Sequence, residues 1–211
     1  ARSVRLEKRL KGRQGVGQVF FGTDHLLGQG GAGRVYVADQ IGLDRKVALK
    51  VMTEQFSSVP AAVERFHREA IAASRVSHPS IVQVFDAGEH DHKPWIAMEL
   101  LDGESLGDRL ERGPLSIAET VKMASGSLAA LAEVHAEGIV HRDLKPDNVF
   151  LATESDGEQV VKILDFGLAH VEEPGAATLT QADMVSGTPE YMSPEQCRTL
   201  KVGPTADIYA L

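Results

Sequence analysis

Gly28, Gly30 and Gly33, in the stretch LGQGGAGRVYVA, are followed at once by residues that alternate like a strand, and this excludes most folds that carry a glycine-rich loop. A dinucleotide-binding loop opens a helix, whereas Arg34 to Ala38 reads with a period of two. A Walker loop continues with Lys and then Ser or Thr, and here Arg34 and Val35 follow the last glycine. What remains is a glycine-rich turn between two antiparallel strands. Its backbone N–H groups, without side chains over them, can approach phosphate oxygens closely. By itself the stretch is also compatible with a plain hairpin turn.

The next strand, KVALKVM, puts Val47, Leu49 and Val51 on one face and turns Lys50 to the other. From Pro60 to Val76 the apolar positions Val63, Phe66, Ala70 and Ala73 recur at helical spacing, with Glu69 close to the buried side. A lysine turned into a cleft needs an opposing carboxylate, and Glu69 is the candidate. The segment SIVQVFDAGEHDHKPWIAMEL reads as two strands around a polar turn. Beyond LDGES the character changes. Ser116 and Glu119 form a capping-box pattern ahead of a long helix whose apolar face is read as Val121, Ala124, Leu128 and Leu131, and which stops at Gly138. Strands first and helices later predict an α+β chain: a basic extension over 1–19, a β-rich lobe over 20–98, a hinge at 99–103 and a mostly helical lobe over 104–211.

The stretch HRDLKPDNVF carries the chemistry. Asp143 is suited to accept or orient a hydroxyl proton, and Asn148 offers an uncharged oxygen to a hard cation. Lys145 can offset charge developing on a transferred phosphoryl group. Asp165, in LDFGLA after the strand-like VVKIL, supplies a second cation ligand. Each of these carboxylates taken separately is more often a solvated or capping residue; the ordered set, together with the glycine turn and Lys50, makes a kit for phosphoryl transfer.

With these residues in view the chain resembles the protein kinase family. The signatures stand in family order: Gly28-x-Gly30-x-x-Gly33-x-Val35, Val47-Ala48-Leu49-Lys50, His141-Arg142-Asp143-Leu144-x-x-x-Asn148 and Asp165-Phe166-Gly167. The resemblance runs from about Phe20 to Leu211. HRDLKPDN is similar to the serine/threonine branch, and GTPEYMSPEQ to bacterial kinases of eukaryotic type. The resemblance implies a two-lobed fold with ATP between the lobes and magnesium as the cation. It implies that Leu27, Val35, Ala48 and Phe150 sandwich the adenine, with Met98 as gatekeeper and backbone groups of Glu99 and Leu101 on the adenine edge. Gly28, Gln29, Gly30, Gly31, Ala32, Gly33 and Arg34 would cover the phosphates. Lys50, held by Glu69, would contact the α and β phosphates, Asn148 and Asp165 would hold Mg2+, and Asp143 with Lys145 would serve the transfer. Thr188 would tie Asp143 and Lys145 to the peptide platform. Arg142 would await a phosphate from the segment between Asp165 and Glu195, with Thr178 and Thr180 as the candidates for self-phosphorylation through transient self-association; Ser186 is read as a plain polar residue.

Two departures accompany the resemblance. Ser193 stands where the family usually has alanine, a mild change. The family continues with further helices after TADIYAL, so the helical lobe is expected to be truncated, with Glu195 lacking its arginine partner and the isolated chain folding poorly or acting weakly. A pseudokinase would usually lack one of Lys50, Asp143 or Asp165, and a small-molecule phosphotransferase would have no need of GTPEYMSPE. The alternative that stays open is a truncated, inactive module that binds ATP or a partner.

Composition narrows the partners. With 22 basic and 30 acidic residues the formal charge is −8, which argues against nucleic acid as the main partner. Protein substrates with Ser or Thr acceptors are implied instead. The basic residues Arg2, Arg5, Lys8, Arg9, Lys11 and Arg13 read as a solvated, partly disordered extension. Cys197, the single cysteine, excludes an internal disulfide framework and fits a reducing compartment. No apolar run reaches bilayer-spanning length and no signal peptide is evident, so a cytoplasmic chain is expected, which a membrane anchor elsewhere in a longer protein would not contradict. HDH at 90–92 reads as an exposed turn.

Overall fold

Val47 and Leu49 are wholly buried while Lys50 between them is turned the other way, as the alternation in KVALKVM requires. This strand belongs to a computed structural model that describes residues 5–9, 18–29, 33–40, 43–165, 170–171, 188–198 and 202–211. Gly30, Gly31, Ala32, Phe166, Gly167, Thr178, Thr180 and Ser186 lie outside the described residues. The chain divides into two compact units: Ala1–Ala70 with Gln83–Leu101, and Ile71–Val82 with Asp102–Leu211.

The first unit is built on β1 (Arg5–Arg9), β2 (Gln18–Gln29), β3 (Gly33–Gln40), β4 (Arg45–Met52), β5 (Val84–His90) and β6 (Lys93–Met98). They form one antiparallel sheet in the order β1-β2-β3-β4-β6-β5. One face carries the core of Ala38, Val47, Leu49, Trp95 and Ala97, with Val51 and Phe85 packed against it. Burying a side chain such as Leu49 contributes roughly 2–3 kcal/mol, so this cluster fixes the register. Register then fixes the opposite face. Val35 pairs with Lys50, Ala48 with Met98 and Lys50 with Ile96, so Val35, Ala48, Lys50 and Met98 share the face away from the core.

A strand stands at Arg5–Arg9, within the stretch expected to be partly disordered. It pairs antiparallel with Gln18–Gly22 at the start of β2.

Two helices join this sheet's strands, the single turn α1 (Glu54–Ser57) and the longer α2 (Pro60–Arg75). Phe66, Ala70 and Ala73 lie on the buried side of α2 together with Glu69. The helical spacing in the sequence is thus the observed face.

In the second unit, β7 (Gly103–Ser105) leads into α3 (Leu106–Glu111), capped by the Ser105 hydroxyl, which accepts from the Asp108 N–H at 3.0 Å. Gly103 is required here. Its φ is +140°, and a side-chain carbon would stand 2.1 Å from the Leu151 carbonyl oxygen. Then follow α4 (Ile117–Ala136), β8 (Ile139–Val140), β9 (Val149–Thr153), β10 (Gln159–Ile163), β11 (His170–Val171), α5 (Pro194–Cys197) and α6 (Thr205–Ala210). The strands form a β10-β9-β7 sheet and a β11-β8 pair.

The capping box at Ser116 and Glu119 forms as its sequence pattern indicates, and the hydrogen bonds from Ser116 hold the Glu119 carboxyl below the usual carboxylate range. After α4, Gly138 takes φ +70°, the left-handed turn that ends a helix. The buried face of α4, however, is Ser127, Ala130, Leu131 and Val134, while Val121 and Leu128 are 59% and 43% exposed. Small residues set this rotation. A side-chain carbon added at Gly126 would lie 3.4 Å from Val161 in β10, so the helix approaches the sheet through positions that a count of large apolar residues overlooks.

Candidate active site

Residues 141–148 run from β8 through a 3-10 turn at Pro146–Asn148 into β9. His141 is fully buried; its Nε2 meets the Leu164 carbonyl at 2.9 Å and its Nδ1 accepts from the Asp143 N–H at 3.3 Å, which fixes the tautomer with hydrogen on Nε2. Arg142 takes φ +67°, a left-handed conformation that is costly for any residue but glycine. Its N–H donates to Asp207 Oδ1 at 2.8 Å, and the His141 N–H donates to Asp207 Oδ2 at 2.9 Å.

Asp207, in α6, is 1% exposed and is also met by His135 Nε2 at 2.8 Å. Burial pushes its carboxyl up. The hydrogen bonds from His135 and from the Arg142 and His141 backbone outweigh that, so the group sits below the usual carboxylate range.

Asp143 stands at the centre. Its Oδ1 accepts from the Thr188 N–H at 3.2 Å and from the Thr188 hydroxyl at 3.3 Å, and that same hydroxyl accepts from Lys145 Nζ at 3.0 Å. Lys145 Nζ is also 3.7 Å from Asp143 Oδ2. Asn148 donates its amide to the Asp143 carbonyl at 2.8 Å, and more weakly to Asp143 Oδ2 at 3.4 Å. A carbonyl can only accept, so the Asn148 amide nitrogen is the atom turned to it and Oδ1 is left to face elsewhere. The Leu164 N–H donates to the Asn148 carbonyl at 2.9 Å, which brings Asp165, at φ +52°, next to this loop in the chain. Asp143, Lys145, Asn148 and Thr188 are therefore brought together as a group.

In the first unit, Lys50 Nζ meets Glu69 Oε1 at 2.6 Å, with the two side chains 12% and 9% exposed. Arg34 reaches across from β3 to Gln29 at 3.2 Å. Gly28 pairs with Val35, and Gly33 lies so close to the Val51 carbonyl that a side-chain carbon there would be 3.1 Å from its oxygen. Leu27 is half exposed. The Glu99 N–H donates to the Gln83 carbonyl at 2.9 Å. Phe150, in the second unit, lies in β9 opposite Ser105 and Lys162.

Three contributors escaped the reading of the sequence. His135 and Asp207 are 72 positions apart and nothing local announces their pairing. Ser193, read only as a departure from alanine, caps α5 in a box with Gln196. That one had a signal: Ser-x-x-Gln is itself a capping pattern. At the HDH turn, His90 and His92 stand 3.4 and 3.6 Å from Asp91 and Glu89, and among the described residues no cluster of three or more His, Cys, Asp or Glu could hold a metal ion. Nor is any described helix long and apolar enough to cross a membrane.

The family described as the protein kinase domain matches residues 21–211. Among curated proteins the chain is 43% identical over 185 residues to the serine/threonine-protein kinase pkn2 of Myxococcus xanthus, covering 87% of this chain and 22% of that protein. It is 42% identical over 193 residues to pkn3 of the same organism, covering 90% and 35%. With a probable serine/threonine-protein kinase of Streptomyces coelicolor it shares 39% over 208 residues, covering 96% and 29%. The chain thus spans about a fifth to a third of the length of these relatives. A match over nearly all of its residues, with the loop geometry above, means that the chain belongs to the protein kinase family, and the curated proteins it resembles are bacterial serine/threonine members of it.

Proposed function

We propose that this chain transfers the γ-phosphoryl group of ATP to serine and threonine hydroxyls of proteins. The observation that carries the reading is the chain of hydrogen bonds from Lys145 through the Thr188 hydroxyl to Asp143, which puts a carboxylate and an ammonium side by side around one hydroxyl. ATP and a divalent metal are what the family uses, and the donor set fits a hard cation such as Mg2+: the Asn148 Oδ1 turned away from Asp143, and the Asp165 carboxylate. When bound, the metal neutralises phosphate charge.

The protein's own part then divides by residue. Lys50, oriented by Glu69, takes the α and β phosphates, under Gly28, Gln29, Gly30, Gly31, Ala32, Gly33 and Arg34. Leu27, Val35, Ala48, Met98 and Phe150 take the adenine, with the Glu99 carbonyl and the Leu101 backbone on its edge. Asp143 orients the substrate hydroxyl and accepts its proton as the oxygen attacks phosphorus. Lys145 offsets the charge on the phosphoryl group. The cytoplasm, where ATP is abundant, is the proposed setting.

Self-phosphorylation at Thr178 and Thr180, by transient pairing of two copies, is the proposed switch, with Arg142 to receive the phosphate. The test is incubation of the purified chain with magnesium and labelled ATP beside Asp143→Asn, followed by mass mapping. Phosphate on Thr178 or Thr180 in the wild type only is expected. ATP binding without transfer would favour the rival reading of a binding module, which the relatives do not support. Full activity in a Thr178→Ala, Thr180→Ala double variant would remove the switch.

A further inference from the structure

Gln196 is 9% exposed and works in two directions. Its Oε1 accepts from the Ser193 N–H at 3.0 Å, and its own N–H donates to the Ser193 hydroxyl at 3.4 Å, closing the cap of α5. Its Nε2 donates to the Arg142 carbonyl at 2.7 Å. Both partners dictate the orientation of the amide: a backbone N–H can only donate and a carbonyl can only accept.

The Arg142 carbonyl belongs to the peptide group that joins Arg142 to Asp143. The other polar atom of that peptide, the Asp143 N–H, is held by His141 Nδ1 at 3.3 Å. The preceding peptide is held by Asp207, and Arg142 between them stands at φ +67°. A strained residue persists only where its surroundings over-determine it. We propose that Gln196 is a positioning residue for phosphoryl transfer: it pins the peptide immediately before Asp143 and so sets the direction of the Asp143 carboxylate. Because Gln196 follows Thr188 in the same stretch of chain, it ties the end of that stretch to the loop that carries Asp143. The inference rests on the kinase reading and adds a residue to its machinery.

A helix cap alone would explain the Ser193 contacts but not the one to Arg142, and two variants separate these roles. Gln196→Glu keeps an acceptor for the Ser193 N–H and, while ionised, has no donor for the Arg142 carbonyl. Ser193→Ala breaks the cap and leaves the Arg142 contact in place. Gln196→Glu is expected to lower kcat about tenfold, the scale of one lost hydrogen bond, with KM for ATP within about twofold. Its deficit relative to wild type should shrink on acidification toward the ordinary glutamate value of about 4.3, where a protonated carboxyl donates again. Ser193→Ala should keep kcat within about twofold. Mass-spectrometric amide exchange over residues 139–145 should quicken in Gln196→Glu and not in Ser193→Ala. Wild-type kcat and exchange in Gln196→Glu, or equal losses in both variants, would reduce Gln196 to a cap. A wild-type chain that transfers no phosphate counts against activity of this chain and not against the role of Gln196, and the exchange comparison then decides by itself whether Gln196 holds the loop.

Discussion

Lys50 and Glu69 form an ion pair at 2.6 Å from which water is almost excluded. Removing one partner leaves the other charge buried, and for buried pairs that costs about 3–5 kcal/mol, less where the survivor takes up a proton. Lys50→Met should therefore abolish measurable transfer and also lower the unfolding midpoint. Adding Glu69→Gln should recover most of that stability and none of the activity. A double variant as unstable as Lys50→Met would mean that the pair is not what Lys50 contributes to the fold; the measurement is denaturant unfolding alongside phosphate transfer.

Asp143→Asn retains the shape of the side chain and an acceptor for Thr188 but loses the carboxylate. Transfer at saturating ATP should fall by about 10² to 10⁴, the usual worth of a positioned acid–base group. Nucleotide affinity should be little changed, which equilibrium binding of an ATP analogue can check.

In the proposed site one end of the Asn148 amide holds the loop and the other would hold the cation. Asn148→Ala removes the donor to the Asp143 carbonyl and the proposed metal oxygen together. Stability should drop by about 1 kcal/mol, the net value of one hydrogen bond. The magnesium concentration for half-maximal rate should rise about tenfold or more. Activity with an unchanged magnesium requirement would take Asn148 out of the metal site.

Asp207 makes the fold sensitive to acid. Its carboxyl is held below the ordinary aspartate value in the folded chain, so over the interval between the two values the unfolded chain binds more protons. Its contribution is complete above the ordinary value of about 3.9 and fades as pH falls through the lower folded one. Asp207→Asn should be clearly less stable than wild type at neutral pH, and the gap should narrow below about pH 4. A gap that stayed constant down to about pH 3 would contradict this account.

What could be read in advance followed from local rules. Alternation turned Lys50 away from Val47 and Leu49, helical spacing set Glu69 on the buried side of α2, and Ser116 with Glu119 announced the start of α4; all three are found. The rotation of α4 was misjudged because Gly126, Ser127 and Ala130 make its contact by being small, not by being hydrophobic. The strand at Arg5–Arg9 was hidden by its charge. His135, Asp207 and Gln196 act across 54 to 72 positions of chain, and periodicity carries no information over such separations. The loop motif named the residues proposed for the chemistry, and the long-range contacts disclosed what keeps them in place.

The carboxylate that receives the Arg142 N–H lies 65 positions further along the chain. Ribosomes extend a chain by roughly 5–20 residues per second, so a nascent molecule carries Asp143 for several seconds, on that scale, before Asp207 has been made. During synthesis the motif is complete long before the strain at Arg142 can be locked in. Its arrangement around Asp143 thus waits on the emergence of α6.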